Sequence, residues 1–260
     1  MDIREKLIAL SLIKNGDWLS MYQELKKDRS LTFLEGRVKE CLEQVVGIGV
    51  MTLLDEEYPD CFKEMSAPPF VLFYQGEIKL LKSTKIAIIG GNKVSDYGQK
   101  ACQRFLRPLM KSNFVIVSGL QLGIETQAQE IAMSMNKGRG IAVLASGFHN
   151  IYPKENQGLY KRLVETQLVL TEYPLAVSPM WRQYDRSAKL IQYLSEVILV
   201  LEVTEGDRRL RQLEKELDDG KPIFVLPDYY NASNSKGGLS LINKGARCLM
   251  NWEEIMNIIS

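Results

Sequence analysis

The residues best suited to chemistry in this chain are small and polar ones that close short apolar runs. Ile86–Ile89 ends in Gly90-Gly91, followed by Asn92 and Lys93; Phe114–Val117 ends in Ser118-Gly119, with Gly123 close behind; Ile141–Leu144 ends in Ser146-Gly147. Each run reads as a buried parallel strand that turns on small residues, and after the first an amphipathic stretch from Tyr97 to Met110 reads as a helix. Glycine lets the backbone approach a ligand closely, and free N–H groups at a helix start favour an anion. Neither G-x-G-x-x-G nor G-x-x-x-x-G-K-[ST] occurs there, so the pattern is neither a dinucleotide fingerprint nor a P-loop. In a doubly wound sheet such strand ends gather along one edge, where ligands of open α/β sheets bind. Three small-residue mouths therefore point to a binding crevice.

Reactive side chains are sparse. His149 is the one histidine, and Cys41, Cys61, Cys102 and Cys248 lack C-x-x-C spacing, which argues against a zinc site and a disulfide framework. Glu172 and Glu202 sit at strand ends without a neighbouring nucleophile, and read as acceptors for nearby backbone amides. The expectation is a protein without enzymatic activity, metal or cofactor.

The elements that must position these residues alternate regularly. Strands are expected at 86–89, 114–117, 141–144, 168–172, 197–202 and 222–226, with helices between most of them, which predicts a doubly wound, mostly parallel α/β sheet of the extended Rossmann type. After Pro227, the segment DYYNASNSKGG reads as a polar loop, followed by a short helix (239–244), a last strand (247–250) and a final helix (252–259). Residues 1–50 read as a small helical domain and 51–260 as the main domain. In the former, Ile3, Leu7 and Leu10 share a face, Asn15-Gly16 stops the first helix, Asp17 caps a second carrying Leu19, Tyr22 and Leu25, and 31–46 forms a third. Tyr58-Pro59 and Ala67-Pro68-Pro69 make 51–84 an extended lead-in to the sheet.

Composition limits the partners. The 260 residues are 45% hydrophobic and 25% charged, with a formal net charge of +1, so any nucleic-acid binding must come from a local patch. The opening MDIREKL lacks a signal-peptide core, and no apolar run approaches the ~20 residues needed to span a bilayer, so no membrane association and a cytoplasmic location are expected.

The segments SGLQLGIETQAQ, AVLASG and YPKEN, with LLDEEYPDCFKEMSAPPFVLFYQG before them, resemble the DprA/Smf family of DNA-processing proteins. The resemblance runs from about Met51 to Met250 and includes Tyr97-Gly98, Glu172-Tyr173-Pro174, Leu194-Ser195 and Gly245-Ala246. It implies a Rossmann-like domain that binds single-stranded DNA without catalysis, a RecA-type recombinase as partner, a homodimer, and a SAM-like helical domain at the N-terminus. Some relatives carry a C-terminal winged helix, and a minimal form without it is expected here.

Carried over residue by residue, the phosphate-binding set comprises Gly90, Gly91, Asn92, Lys93, Ser118, Gly119, Gly123, Lys154, Arg186, Lys189, Arg208 and Arg209. Tyr97, Tyr152 or Tyr184 would offer a stacking face.

Several of these positions depart from the family pattern. G-S-R becomes Gly90-Gly91-Asn92, which loses the guanidinium fork. The aspartate and histidine of S-G-x-x-x-G-I-D-x-x-A-H become Glu125 and Gln129, and R-N-R becomes Ser187-Ala188-Lys189. S-G-S-L becomes Asp207-Arg208-Arg209-Leu210, where Asp207 would cap the helix and Arg208 and Arg209 would reach outward. These changes leave two other functions open. One is an interaction module with weakened DNA binding. The other is a binder of a nucleotide-derived small ligand, although the P-G-G-x-G-T-x-x-E motif of the related phosphoribohydrolases is absent.

Overall fold

The computed structural model describes residues 2–111, 113–135, 138–228 and 232–259. Tyr229, Tyr230 and Asn231 of the expected polar loop lie outside that set. The chain opens with α1 (Ile3–Ile13), α2 (Trp18–Lys27) and α3 (Val38–Glu43), then β1 (Gly49–Thr52), α4 (Asp60–Lys63) and β2 (Val71–Gly76). Regular alternation follows: β3 (Lys85–Gly90), α5 (Asp96–Lys111), β4 (Val115–Ser118), α6 (Ile124–Ser134), β5 (Gly140–Leu144), α7 (Gln157–Thr166) and β6 (Leu168–Thr171). The last third holds α8 (Trp181–Leu194), β7 (Val197–Leu201), α9 (Arg209–Asp218), β8 (Ile223–Val225), α10 (Lys236–Asn243), β9 (Arg247–Cys248) and α11 (Glu253–Ile259).

The described strands form one sheet in the order β1-β2-β6-β5-β4-β3-β7-β8-β9. Every pairing from β6 to β9 is parallel, while β1–β2 and β2–β6 are antiparallel. The order runs outward from β3 to β6 and then restarts at β7 beside β3, which puts the switch point of a doubly wound sheet between the ends of β3 and β7. Parallel strands buried on both faces explain why each is an unbroken apolar run. The expected lead-in at 51–84 contributes a strand of its own, since β2 pairs with β6 and extends the sheet.

One face carries α4 and α8–α10, packed on Ala87, Val117, Val143 and Val200. The opposite face is divided between α5, α6 and α11 over β4, β3, β7 and β8, and the N-terminal helices with α7 over β2, β6 and β5. Leu7, Leu10, Leu34 and Val38 therefore share a core with Phe73, Leu144 and Val169. The boundary expected at residue 50 falls inside β1, and the helices before it form a layer on the sheet.

Two expectations for this layer are corrected. Leu31 has φ 48, and the expected helix at 31–46 is split into a 3-10 turn at Thr32–Leu34 and the short α3. In α2 the buried residue is Met21, whereas Leu19 and Tyr22 are exposed, and Trp18 stacks on both Tyr22 and Phe70. Asp17 caps α2 as expected, accepting from the Ser20 N–H at 2.9 Å. Among the described residues no helix is long and apolar enough to cross a membrane.

Candidate nucleic-acid interface

The C-terminal ends of β3, β4 and β5 lie side by side, so Gly90, Gly119 and Ser146 occupy a common edge. Their loops are tied together by short hydrogen bonds. The Gly91 N–H donates to the Glu202 carbonyl (2.9 Å), and the Gly91 carbonyl accepts from the Ile124 N–H (3.1 Å) at the start of α6. Glu202, at φ 46, also accepts on its carboxylate from the Ser95 N–H (3.0 Å) and the Ser95 hydroxyl. It thus holds backbone amides, as its place at the end of β7 suggested. Gly123 has φ +88 and abuts the Gly91 carbonyl and Asn92, a position closed to any side chain.

Above this edge lies a cleft of about 320 Å³ between the β4–α6 loop, α8 and the segment before α9. Its apolar floor includes Ile89, Val143, Leu144 and Ile191, and its polar walls bring Asn92, Glu125, Tyr184, Gln192, Arg208 and Arg209 together. Tyr152, Asp185 and Asp207 complete its mouth.

The electrostatics centre on Arg209. Its guanidinium folds back onto Asp207 (Nη2 to Oδ2, 2.6 Å; Nε to Oδ1, 2.9 Å) and reaches Glu125 Oε1 at 3.5 Å. Asp207 also accepts from the Arg209 N–H at 2.9 Å, but the N-cap position of α9 is Arg208, so the expected cap is displaced one residue before it. Burial alone would raise the Asp207 carboxyl, but Arg209's hydrogen bonds and charge more than offset this and hold it below the ordinary range. For Glu125 burial dominates over the charge of Arg209, and its carboxyl is raised. Burial also pushes the Tyr184 hydroxyl up to about 12, so it keeps its proton.

A second closed pair sits behind the cleft. Arg186 donates from Nε to Glu172 Oε2 (2.6 Å) and from Nη2 to Oε1 (2.8 Å), in the parallel fork that suits a carboxylate. Both side chains are largely withdrawn from solvent.

The family profile described as DNA recombination-mediator protein A matches residues 49–260. The chain belongs to that family. The DNA processing protein DprA of Bacillus subtilis is 30% identical over 210 residues, covering 80% of this chain and 70% of the relative. The solved DNA processing protein A of Streptococcus pneumoniae superposes with a TM-score of 0.84 at 25% identity, over 100% of this chain and 99% of that one. DNA processing protein A of Helicobacter pylori, in a structure concerned with its single-stranded DNA binding mode, gives 0.73 at 27% identity over 82% and 96%.

Against the recombination-mediator pattern, the residues expected to grip phosphate divide into three groups. Asn92, Gly119, Arg208 and Arg209 line the cleft. Lys93, Lys154 and Lys189 are exposed but do not line it. The third group is structural: Gly90, Gly91 and Gly123 allow close backbone packing, and Ser118 is buried, accepting from Gln129 Nε2 at 2.8 Å. Two arginines need correction. Arg186 is locked to Glu172 rather than free for phosphate, and Arg209 turns inward rather than outward, because each meets a buried carboxylate that would otherwise lie uncompensated.

Among the tyrosines, Tyr152 and Tyr184 line the cleft, while the Tyr97 hydroxyl donates to the Pro227 carbonyl on another side. Sequence reading missed Trp181, which is 60% exposed at the start of α8, with the Arg182 and Arg208 guanidinia 5.1 and 5.9 Å from its ring. A large aromatic flanked by Met180 and Arg182 just after a proline was the available signal.

Proposed function

We propose that this chain binds single-stranded DNA without catalysis, along the mouth of the cleft, as a homodimer that passes the strand to a RecA-type recombinase. The observation that carries the reading is the exposed rim of aromatic and cationic groups. Tyr152 and Trp181 present open faces, and Arg208 lies over Trp181 beside the cleft. Bases of an unpaired strand stack on such faces, each contributing ~1–3 kcal/mol, while Lys93, Lys154 and Lys189 are available to the backbone. Paired bases do not offer those faces, so single strands are preferred over duplex. Similarity to the Helicobacter pylori protein supports the choice of ligand, and family membership supports the recombinase and the dimer. Absence of catalysis fits a cleft whose charged groups are paired with one another, Arg209 with Asp207 and Glu125, and Arg208 with Asp185.

A second reading is favoured by the same pairs. With Arg186 and Arg209 neutralised internally, the chain acts as a protein-interaction module whose DNA binding has lapsed. Titration of the purified protein with fluorescent single-stranded DNA at two salt concentrations separates the two. Binding that weakens with salt supports the first; no binding even at low salt hands the function to the second.

A further inference from the structure

Outside the cleft, one helix departs from the balance of charges in the molecule. The chain carries 33 lysines and arginines against 32 aspartates and glutamates, yet no carboxylate occurs between Asp96 and Glu125. Within that gap α5 carries Lys100, Arg104 and Arg107, whose spacing puts them on one helix face. Ala101, Cys102, Leu106 and Leu109 take the opposite face into the core. The three cations are therefore exposed, with Gln99 and Gln103 beside them.

A merely solvated helix face usually mixes signs, as α9 does with Arg211, Glu214, Lys215 and Asp218. There Glu214 also holds Lys244 at 2.7 Å. On α5, Lys100 and Arg104 form no ion pair, and Arg107 donates from Nε only to the Gln103 side chain. Asp96, four residues before Lys100, is not paired with it. The neighbouring helix α6 brings Glu130, whose carboxylate lies 3.9 Å from Arg162. Like charges one turn apart repel, so this face gains from a polyanion that neutralises all three at once.

Its position relative to the cleft narrows the partner. α5 starts from the loop after β3, where Asn92 lines the cleft and Lys93 is exposed. Because β4 is parallel to β3, α5 must run from that edge of the sheet back to the other. Lys100, Arg104 and Arg107 thus lead away from the mouth over about 10 Å of helix. A groove lined by Gln99, Lys100, Gln103 and Arg104 adjoins a second, between α5 and α6, that shares Gln99 and Gln103 and adds Arg107, Gln127 and Ser134. The amides there can both give and take hydrogen bonds at base edges.

We propose that the outer face of α5 is a second binding surface for single-stranded DNA, on which a strand leaving the cleft continues past Lys93 onto Lys100, Arg104 and Arg107. The inference rests on the DNA reading above and adds the direction in which the strand runs. It also puts positive charge beside the loop in which Asn92 replaces the arginine of G-S-R.

Titration of the full chain with two labelled single strands, of about 6 and about 20 nucleotides, tests the proposal. Lys100→Gln, Arg104→Gln and Arg107→Gln are made together, which removes charge while keeping long, helix-compatible side chains. Long-strand binding should weaken at least tenfold at low salt. Its slope of log binding constant against log salt should fall by about 2, since each phosphate contact contributes about 0.7. Short-strand binding should not change. Exchanging the cations instead (Lys100→Arg, Arg104→Lys, Arg107→Lys) should retain long-strand binding. An unchanged long-strand affinity and slope in the triple glutamine variant overturns the α5 surface and leaves the DNA reading intact. Equal losses on both lengths overturn it too, because α5 would then act through the cleft. A loss confined to duplex overturns the choice of ligand. Failure of the parent protein to bind either strand at low salt removes the DNA reading and this inference with it.

Discussion

Basic residues in this protein occupy two contrasting settings. Arg186 and Arg209 are drawn inward, each held at 2.6 Å by a carboxylate. Lys93, Lys154 and Lys189 stand at the surface, and Arg208, on the cleft wall, lies 3.2 Å from Asp185. All six are expected phosphate contacts in the sequence, yet Arg186 and Arg209 are parts of the scaffold, Arg208 is paired at the surface with Asp185, and the three lysines are available to a polyanion. The difference shows that a positive residue counts toward binding only after its nearest carboxylate has been found.

Four experiments put this contrast at risk. Arg186→Ala should have the largest effect, about 3–5 kcal/mol of lost stability in urea denaturation, because Glu172 is left buried and uncompensated. The double replacement Arg186→Met with Glu172→Leu should recover most of that loss; if the single change is silent, the pair is not structural. Arg209→Met should cost about 2 kcal/mol through its hydrogen bonds to Asp207, with little change in the salt dependence of DNA binding. A clear fall in that dependence would move Arg209 from the scaffold to the rim.

Surface cations should behave in the opposite way. Lys154→Ala should leave stability within about 0.5 kcal/mol and reduce the slope of log binding constant against log salt by about 0.7. Arg208→Ala should do the same and also release Trp181, which affinity for abasic strands would reveal. The smallest effect concerns pH. Asp207 is held below the ordinary carboxylate range in the folded chain, so its contribution to stability is present above the unfolded value of ~3.9 and is lost as pH falls through its folded value. Asp207→Asn should therefore flatten the acid limb of stability against pH, measured by thermal melting from neutral to acid; an unchanged limb would mean that Arg209 does not act on Asp207.

The sheet was readable because parallel strands buried on both faces leave uninterrupted apolar runs, and six of these runs lie where the strands β3–β8 are found. The Asp17 cap was readable because capping is local, joining residues three apart. What escaped reading depended on partners distant in the chain. Arg186 meets Glu172 across the end of β6, and Arg209 meets Glu125 across 84 residues. Nothing in the spacing of these residues announces the pairings. The break at Leu31 escaped too, since the apolar spacing of 31–46 fits a helix whether or not the backbone turns left-handed at its start.

The ties among the edge loops bear on how the protein meets a ligand. Glu202 joins the β7 end to Gly91 and Ser95, and Gly91 in turn joins the start of α6. Three loops that elsewhere would sample separate conformations are thus held in one arrangement before anything binds. Association then forgoes little conformational freedom there, because side-chain and loop ordering is among the main costs of binding. A chain that has lost some of its charge contacts can retain affinity by this route, since a rigid mouth needs fewer attractions to close on its guest.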